Sequence, residues 1–369
     1  MTPPDGRIDI SEPEAGSGAR EATLRSAADL RAHGLIDAGD AAAIARVAER
    51  YAIAVPPTLA RALDGTGPDD PLWRQFVPTE AEFVTTPEEL ADPIGDSAHA
   101  AVKGIVHRYR DRVLLKPQHA CPVYCRFCFR REAVGPGKEA LSMAELDAAI
   151  AYIARHSEIW ETILSGGEPL LLSVRRVTEI LARLSAIPHL GVVRVHTRAP
   201  IAVPETIDAA MVAALRTPIE HEKATYVVVH CNHARELTPP ARAAIARIVD
   251  AGIPVLSQTV LLKGVNDDAA TLEALFRALV RARVKPYYLH HPDLAPGTSH
   301  FRVSLERGRE IARALRGPVS GLCQPTYVLD VPGGHGKIPV GPEYVGTDGS
   351  VTDPDGHMHS YPSNTSSRP

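Results

Sequence analysis

Three cysteines of the chain lie close together, with three residues between Cys121 and Cys125 and two between Cys125 and Cys128. Three thiolates on one short loop can bind three irons of a 4Fe–4S cluster, which leaves the fourth iron open to the amine and carboxylate of a small molecule. A structural, chemically silent cluster is one alternative. Structural zinc is another, but zinc prefers four ligands, and neither His107 nor His119 stands at a standard zinc spacing.

A turn of two glycines and an acid occurs further along the chain, at Gly166, Gly167 and Glu168, after an apolar run typical of a strand. Glycines let the backbone approach a ligand closely. Backbone groups and the Glu168 carboxylate can accept hydrogen bonds from an ammonium group. By itself this pattern equally suits a tight strand-to-helix turn. Because it follows the cysteines by one strand–helix unit, the two patterns together favour one ligand site at the carboxyl ends of the strands.

Lys337 ends the run Pro-Gly-Gly-His-Gly-Lys, just past the last strand candidate. A lysine that forms an imine with an aldehyde cofactor must reach the flat face of that cofactor, and glycines before it remove side chains that would block the approach. The amine must also be partly deprotonated, which burial and nearby cations favour. The alternative is a solvated lysine in a flexible loop.

The composition sets limits on the class of protein. A chain of 369 residues with 44% hydrophobic and 23% charged residues is long enough for a large core, and its net charge of −4 gives no reason to expect nucleic acid or an anionic membrane as a partner. No apolar run approaches the ~20 residues that cross a bilayer, and the N-terminus lacks a secretory signal. We therefore expect a cytoplasmic protein. Five cysteines, three of them clustered, favour a metal or cluster site over a disulfide framework.

Beyond residue 100, short β-branched runs alternate with helical patterns. The strand candidates are residues 112–116, 161–165, 192–197, 225–231, 255–262, 285–290 and 326–330. The helical patterns are residues 142–155, 174–184, 207–215, 239–251, 269–282 and 305–315. This alternation predicts right-handed βαβ units around a parallel sheet, and therefore an α/β fold built as an open or closed barrel.

Four parts make up the predicted domain organisation. Residues 1–20 and 347–369 are rich in Gly, Pro, Ser and Asp and are expected to be disordered. Residues 21–100 contain two or three helices up to about residue 63, followed by a Pro- and acid-rich irregular connection. Residues 101–346 form the predicted barrel together with the lysine loop.

Several motifs recur in an order that is specific to one family. They are His-Arg-Tyr at 107–109, CPVYCRFCFRR at 121–131, SGGEPLLLS at 165–173, HTRAP at 196–200, SQTVLLKGVNDD at 257–268, PYYLHH at 286–291 and PGGHGKIPVGPEYV at 332–345. With these motifs the chain resembles the radical S-adenosylmethionine (radical SAM) superfamily, and within it the lysine 2,3-aminomutase family. The resemblance implies a partial, open parallel β/α barrel of the radical SAM type with an N-terminal helical segment. It also implies three cofactors: a 4Fe–4S cluster, S-adenosylmethionine and pyridoxal phosphate.

The resemblance assigns roles to particular residues. Those implied for the cluster are Cys121, Cys125 and Cys128, and those implied for S-adenosylmethionine are Gly166, Gly167, Glu168, His230 and Gln258. Those implied for pyridoxal phosphate are Lys337 as the imine-forming residue, Arg108 and Arg112 at the phosphate, and His290 beside the ring, where well-known mutases carry a tyrosine. Those implied for a lysine substrate are Arg130 at its carboxylate, and Asp293 and Asp330 at its ε-ammonium.

The implied reaction moves the α-amino group of L-lysine to the β-carbon, giving β-lysine, after a 5′-deoxyadenosyl radical removes a β-hydrogen. The pair Asp293 and Asp330 favours free lysine, because relatives that act on glutamate or on a protein lysine differ at one or both positions. Two alternatives stay open. One is a mutase acting on a lysyl group attached to elongation factor P, whose subgroup the segment CRFCFRR resembles. The other is a non-catalytic iron–sulfur or zinc module that binds a partner.

The expected partners follow from the same resemblance. They are a small-molecule amino acid, an electron donor such as flavodoxin or ferredoxin, and elongation factor P under the first alternative, with no nucleic acid and no membrane. Some members of the family have a C-terminal zinc site built partly on cysteines. Cys323 is the last cysteine of this chain. We therefore expect no such site, and a homo-oligomer stays an open expectation.

Overall fold

The computed structural model describes residues 22–346 and 350–360, which form helices around one large sheet. The α-helices are α1 Ala27–Ala32, α2 Ala41–Arg50, α3 Pro57–Ala62, α4 Pro71–Phe76, α5 Met143–Arg155, α6 Val174–Ser185, α7 Ala199–Ala202, α8 Ala209–Glu220, α9 Pro239–Asp250, α10 Ala269–Arg281 and α11 Leu305–Ala314. The strands are β1 Ile105–Tyr109, β2 Arg112–Gln118, β3 Glu161–Gly166, β4 Val192–Thr197, β5 Ala224–His230, β6 Val255–Val260, β7 Val284–His290, β8 Thr326–Val331, β9 Gly336–Pro339, β10 Ser350–Thr352 and β11 Met358–Ser360. None of these helices, over the ranges described, is long and apolar enough to span a membrane.

The first nine strands form one sheet in which every strand lies beside its neighbours in sequence. Strands β2 to β8 are parallel, while β1 and β9 pair antiparallel with β2 and β8 at the two edges. In the sheet as described, β1 and β9 do not pair through backbone hydrogen bonds, so the barrel is open. The predicted fold, a partial parallel β/α barrel preceded by a helical segment, is confirmed.

Hydrophobic periodicity explains why these elements form around a common core. Helix α6 buries Val177, Ile180, Leu181 and Leu184, which lie on one side of a helix with 3.6 residues per turn. Strand β5 instead carries three consecutive buried valines, at residues 227–229. A strand that is buried on both faces is typical of a parallel sheet covered by helices. The helices therefore shield the outside of the sheet, and polar residues at the strand ends are left to build a site.

The N-terminal region contains a helix that the sequence patterns did not predict. Helices α1, α2 and α3 lie in the stretch where two or three helices were expected. The prediction of an irregular connection over residues 64–100 is wrong at α4, because the Asp70 side chain accepts a hydrogen bond of 2.8 Å from the backbone N of Leu72 and caps the helix. Proline at the first position and burial of Trp73 and Phe76 complete it. Proline and aspartate, which suggest a loop by composition, here occupy the first positions of a helix.

Two edge strands and a hairpin also escaped the sequence patterns. Strands β1 and β9 are short, and each is paired on only one side. Residues 350–360, within the segment expected to be disordered, form the antiparallel pair β10–β11, in which Val351 lies opposite His359. The turn between the two strands lets them pair with each other, and the composition of the segment does not predict this pairing. The other residues expected to be disordered, 1–20, 347–349 and 361–369, lie outside the described residues.

Candidate active site

A cavity of about 850 Å³ occupies the inside of the barrel. Every residue that received a role from the sequence contributes to its wall: Arg108, Arg112, Cys121, Cys125, Cys128, Arg130, Gly166, Gly167, Glu168, His230, Gln258, His290, Asp293, Asp330 and Lys337. The structure therefore brings the sequence-predicted residues together around one space. The individual roles of these residues remain predictions.

The three clustered cysteines lie on the loop between β2 and α5, and all three are free thiols. Burial raises the pKa of Cys125 and raises that of Cys128 to about 11, so a bound metal is needed to hold these sulfurs as thiolates. The Cys125 sulfur accepts a hydrogen bond of 2.8 Å from Nη1 of Arg198. Three thiols that face one cavity fit the donor set of an iron–sulfur cluster.

The two histidines considered for a zinc site do not join these cysteines. His107 Nδ1 lies 2.8 Å from the hydroxyl of Tyr152, and His119 lines a separate depression. Neither histidine is part of the cavity wall in the described chain. Three thiols without these histidines fit a cluster with one open iron better than a closed four-ligand zinc site.

Gly166 and Gly167 follow the buried part of β3 and pack directly on the start of the cysteine loop. A Cβ on Gly166 would lie 2.7 Å from the carbonyl oxygen of Gln118, and a Cβ on Gly167 would lie 2.3 Å from that of Ala120. Gly166 also has φ of +100°, a conformation that other residues rarely adopt. Glycine is therefore required at both positions by the close approach of the two loops.

Glu168 has structural partners that its motif does not reveal. Its buried carboxylate accepts hydrogen bonds from the backbone N of Leu170 at 3.0 Å, the hydroxyl of Thr197 at 2.7 Å and the backbone N of Arg198 at 2.7 Å. These bonds fix the turn after β3 beside the end of β4. Because most of the acceptor capacity of Glu168 is used inside the protein, we expect backbone carbonyl groups of the turn to be the main acceptors for an ammonium group.

His230 and Gln258 are register partners on the neighbouring strands β5 and β6. The His230 ring stacks on Phe127 with 5.5 Å between the ring centroids, and its Nε2 is buried without a hydrogen-bond partner among the described residues. Burial lowers the pKa of His230 well below its usual value, so the imidazole is neutral. An unpartnered polar nitrogen in the cavity wall fits a hydrogen bond with a bound ligand.

Arg130 is held by an aspartate that the sequence analysis did not identify. Its Nε donates to Asp96 at 2.8 Å, and its Nη1 lies 3.4 Å from the Ser165 hydroxyl. Burial alone would raise the pKa of Asp96, but Arg130 and Lys116 lower it to about 2. Asp96 also lies 3.7 Å from Nη2 of Arg108. One ionised carboxylate therefore orients two arginines of the predicted cofactor and substrate sites.

Lys337 lies on β9 directly opposite Asp330 of β8. Its Nζ forms an ion pair with Asp330 and lies 3.3 Å from Nδ1 of His290. Burial opposes the ionisation of Asp330, but the nearby His290 ring, whose Nδ1 lies 3.7 Å from Oδ2, and the charge of Lys337 keep the pKa of Asp330 below the usual value. Burial and the Lys337 charge lower the pKa of His290 to about 4, so its ring is neutral. The amine of Lys337 thus lies between the carboxylate of Asp330 and the neutral imidazole of His290.

Asp293 differs from the other carboxylates of the cavity. No hydrogen bond or ion pair joins its side chain to any residue that the structure describes. Burial and the negative charge of Asp330 raise the pKa of Asp293 to about 7. This group is therefore ionised only in part at neutral pH, and a cation bound beside it would stabilise the carboxylate.

Arg108 and Arg112 each contact a residue that in turn contacts Lys337. Nη1 of Arg108 lies 3.5 Å from Oδ1 of Asp330. The guanidinium of Arg112 lies over the Tyr109 ring, 3.8 Å from its centroid. The Tyr109 hydroxyl in turn accepts a hydrogen bond of 2.8 Å from the backbone N of Lys337. Two arginines near one lysine fit an anionic group such as a phosphate.

Asp96, Tyr109 and Arg198 belong to this site although the sequence analysis gave them no role. Asp96 stands in the Pro- and acid-rich stretch, where no periodicity singles it out. Tyr109 and Arg198 are part of the motifs His-Arg-Tyr and HTRAP, so their motifs were a usable signal. The motifs do not indicate which residues Tyr109 and Arg198 contact in the folded protein.

Comparison with known proteins supplies the family. Residues 115–275 match the model of the radical SAM superfamily, and residues 312–352 match that of lysine-2,3-aminomutase. The L-lysine 2,3-aminomutase of Clostridium subterminale is 38% identical over 304 residues, covering 82% of this chain and 72% of that protein. The enzyme of the same name from Fusobacterium nucleatum is 37% identical over 324 residues, covering 87% and 75%. The glutamate 2,3-aminomutase of Clostridioides difficile is 33% identical over 309 residues, covering 83% and 72%.

The matched ranges include both chemical motifs of the cavity. The cysteine loop and the glycine turn lie within the first range, and Lys337 lies within the second. The resemblance inferred from the motifs is confirmed, as is the radical SAM type of the barrel. The chain therefore belongs to the lysine 2,3-aminomutase family, whose members are radical SAM isomerases that use a 4Fe–4S cluster, S-adenosylmethionine and pyridoxal phosphate.

Proposed function

We propose that this enzyme moves the α-amino group of free L-lysine to the β-carbon and so produces β-lysine. The observation that carries the proposal is the pair of half-buried aspartates, Asp293 and Asp330, in the wall of the cavity. An ammonium group at the far end of the substrate complements this acidic wall. A distal carboxylate, such as that of glutamate, would be repelled by it.

The state of Asp293 supports a cationic substrate. Its side chain has no hydrogen-bond or ion-pair partner among the described residues, and burial together with the charge of Asp330 raises its pKa to about 7 despite the basic side chains nearby. A substrate ammonium beside it would stabilise the carboxylate and lower its pKa. An analogue without that charge would leave a buried polar group unpaired, which gives the site its specificity.

Asp330 would be shared between Lys337 and the substrate. Its nearest cation in the structure is Nζ of Lys337. When Lys337 holds pyridoxal phosphate, its nitrogen no longer confronts Asp330 as a free ammonium, and the carboxylate becomes available to the ε-ammonium of lysine. Loading of the cofactor and binding of the substrate would then be coupled through one side chain.

The remaining residues bind and orient rather than react. When bound, the cofactors supply a radical that abstracts hydrogen and a π-system through which nitrogen can migrate. Cys121, Cys125 and Cys128 would hold the cluster, and Arg108 and Arg112 would hold the phosphate, since all five side chains line the cavity. The neutral His290 ring, 3.3 Å from Nζ of Lys337, can accept a hydrogen bond from that amine. Enclosure in the barrel keeps water away from the reacting atoms.

Arg130 is the proposed partner of the α-carboxylate, and its contacts favour a second candidate substrate. Its Nε is already bound to Asp96 at 2.8 Å, so part of its charge is neutralised within the protein. A lysyl group attached through its own carboxylate to elongation factor P has no carboxylate charge to pair. Such a substrate would depend on Arg130 less than free lysine does.

The proposal is tested with enzyme that is purified anaerobically, loaded with cluster and pyridoxal phosphate, and reduced, since radical SAM enzymes need an external reductant. Separate reactions receive S-adenosylmethionine with L-lysine, L-glutamate or L-norleucine, which lacks the ε-ammonium of lysine. We expect a β-amino acid from lysine only, detected by chromatography of the derivatised products. Glutamate turning over as fast as lysine would show that the two aspartates do not select the substrate.

A further inference from the structure

Arg198 directly follows β4 and makes a close contact with one sulfur of the cysteine loop. Its side chain is only 7% exposed, and its Nη1 donates a hydrogen bond of 2.8 Å to Sγ of Cys125. In the described chain, neither Cys121 nor Cys128 receives a hydrogen bond from a side chain. The three thiols are therefore not equivalent, and Cys125 alone has a cationic donor.

The guanidinium of Arg198 is fixed from several directions. Its Nη2 lies 2.6 Å from Oε2 of Glu236 and 2.9 Å from Oε1 of Gln75. The Nε2 of Gln75 donates to Oε1 of Glu236 at 3.1 Å, and both side chains are fully buried. The guanidinium carbon also lies 4.8 Å from the ring centroid of Phe76 and 5.3 Å from that of Phe127. Movement of Arg198 would leave a buried carboxylate unpaired, so the donor is held in place.

This arrangement joins three distant parts of the chain at one sulfur. Gln75 belongs to α4, Arg198 follows β4, and Glu236 lies in the 3-10 helix Ala234–Glu236 after β5. A buried ion pair is no more stable than apolar side chains of similar volume, because desolvation of the charges offsets their attraction. Stability alone therefore does not account for an arginine here. Its Nη1, which takes no part in the ion pair with Glu236, donates to Cys125.

A hydrogen bond from Arg198 to Cys125 would affect the reduction potential of a bound cluster. Hydrogen bonds to ligand sulfurs and nearby charge shift the reduction potential of iron–sulfur clusters. A donor stabilises the reduced form more strongly, because that form places more negative charge on the sulfurs. Arginine keeps its proton at all physiological pH values, so this contribution would not change with pH.

We propose that Arg198 is a positioning residue that orients the Cys125 sulfur for iron and raises the reduction potential of the cluster. The inference rests on the proposed cluster site of this chain. It concerns the electron-accepting step and is independent of which amino acid is the substrate.

The first test compares the potentials of two variants of buried arginines on the same strand segment. Arg198→Lys keeps the positive charge but loses the planar fork. Arg194→Lys is the matched control, because Arg194 is also buried and paired with a glutamate, Glu161, at 2.9 Å. The proteins are reconstituted with iron and sulfide, and the midpoint potential is measured by redox titration with electron paramagnetic resonance. We expect the equilibrium constant for reduction to fall at least about tenfold in Arg198→Lys, or about 59 mV for one electron, and to be unchanged in Arg194→Lys.

The second test uses the wild-type chain and covers the case in which the Arg198 variant fails to fold. Protein grown with arginine labelled by ¹⁵N in the guanidinium group only is reduced, and hyperfine spectroscopy records coupling between that nitrogen and the cluster. We expect a weak ¹⁵N coupling. A wild-type protein with a full 4Fe–4S cluster but no such coupling would overturn the inference.

The two proposals can fail separately. A protein that binds no iron would refute the cluster site itself. A full cluster in Arg198→Lys with the wild-type potential would refute the role of Arg198 and leave the proposed function intact. Loss of iron from Arg198→Lys, with circular dichroism and Tm equal to those of the Arg194→Lys control, would support the positioning role.

Discussion

The two ends of the cavity satisfy their polar groups in different ways. At the cysteine end, Glu168 accepts three hydrogen bonds, and Arg198 is bound to both Cys125 and Glu236. At the lysine end, Asp293 has no partner among the described residues, and Nζ of Lys337 contacts the carboxylate that we assign to the substrate. At the cysteine end, the protein itself supplies the hydrogen-bond partners of the polar groups. At the lysine end, we propose that bound ligands supply the missing partners.

This difference has a physical consequence for mutation. A group with several fixed partners loses them all when it is replaced, so the local structure and any cluster held there should be lost together. A group whose partner is a ligand can be replaced with little effect on the free protein, and the loss appears when the ligand binds. Substitutions at the cysteine end should therefore remove a cofactor, and those at the lysine end should remove turnover.

Replacement of any clustered cysteine should have the largest effect. Cys121→Ala, Cys125→Ala and Cys128→Ala should each abolish the 4Fe–4S signal and the cleavage of S-adenosylmethionine, because attachment through three thiolates tolerates no missing ligand. Iron and sulfide analysis with electronic spectra measures this loss. Cys323→Ala, a buried cysteine outside the cavity, is the control and should retain the cluster. Full cleavage activity in any of the three cavity variants would refute the assignment.

Replacement of Lys337 should abolish turnover while leaving the cluster in place, because pyridoxal phosphate and the cluster are attached to different residues. Borohydride should trap pyridoxal phosphate on Lys337 of the wild-type enzyme, and peptide mapping should locate the label there. Lys337→Ala should take no label and keep its iron content. Lys263→Ala is the control and should label normally. A label on Lys263 or Lys285 would overturn the assignment of Lys337.

The side chains proposed to bind the substrate should have the next largest effects. Arg130→Ala, Asp293→Asn and Asp330→Asn should each lower kcat/KM for L-lysine by at least ~10²-fold, because loss of one partner of a desolvated ion pair costs about 3–5 kcal/mol. Steady-state assays of β-lysine formation measure this change. Asp147→Asn, at an exposed ion pair with Arg183, should have no effect. Wild-type kinetics in Asp293→Asn would show that this residue does not bind the substrate.

The smallest expected effect is on the pH profile. Burial and Asp330 raise the pKa of Asp293 to about 7. Below that pH the free enzyme protonates Asp293 and loses its attraction for the ε-ammonium, so kcat/KM should fall by up to ~10-fold per pH unit and level off above it. Asp330→Asn removes the neighbouring negative charge and should move the inflection to lower pH. A wild-type profile with no inflection between about pH 6 and 8, or an inflection that Asp330→Asn leaves in place, would contradict this account.

Patterns local in the sequence predicted much of the fold and the chemical groups. The parallel strands β2 to β8 were found because β-branched runs alternate with helical periodicity, whereas the four residues of β9 are too few to show a pattern. The cysteines and Lys337 were found because their spacing and flanking glycines are local. The contacts of Arg130 with Asp96 and of Arg198 with Cys125 join residues 34 and 73 positions apart. No local pattern reports such contacts, because only the folded barrel creates them.

The central claim, that free L-lysine is the substrate, is tested most directly by a competition assay. The reduced enzyme with its cofactors and S-adenosylmethionine receives L-lysine and lysyl-modified elongation factor P, separately and together, and mass spectrometry follows β-lysine in the free pool and on the protein. We predict that β-lysine forms from free L-lysine, and that Arg130→Ala abolishes most of this conversion. Turnover confined to the modified protein, with no β-lysine in the free pool, would contradict the claim.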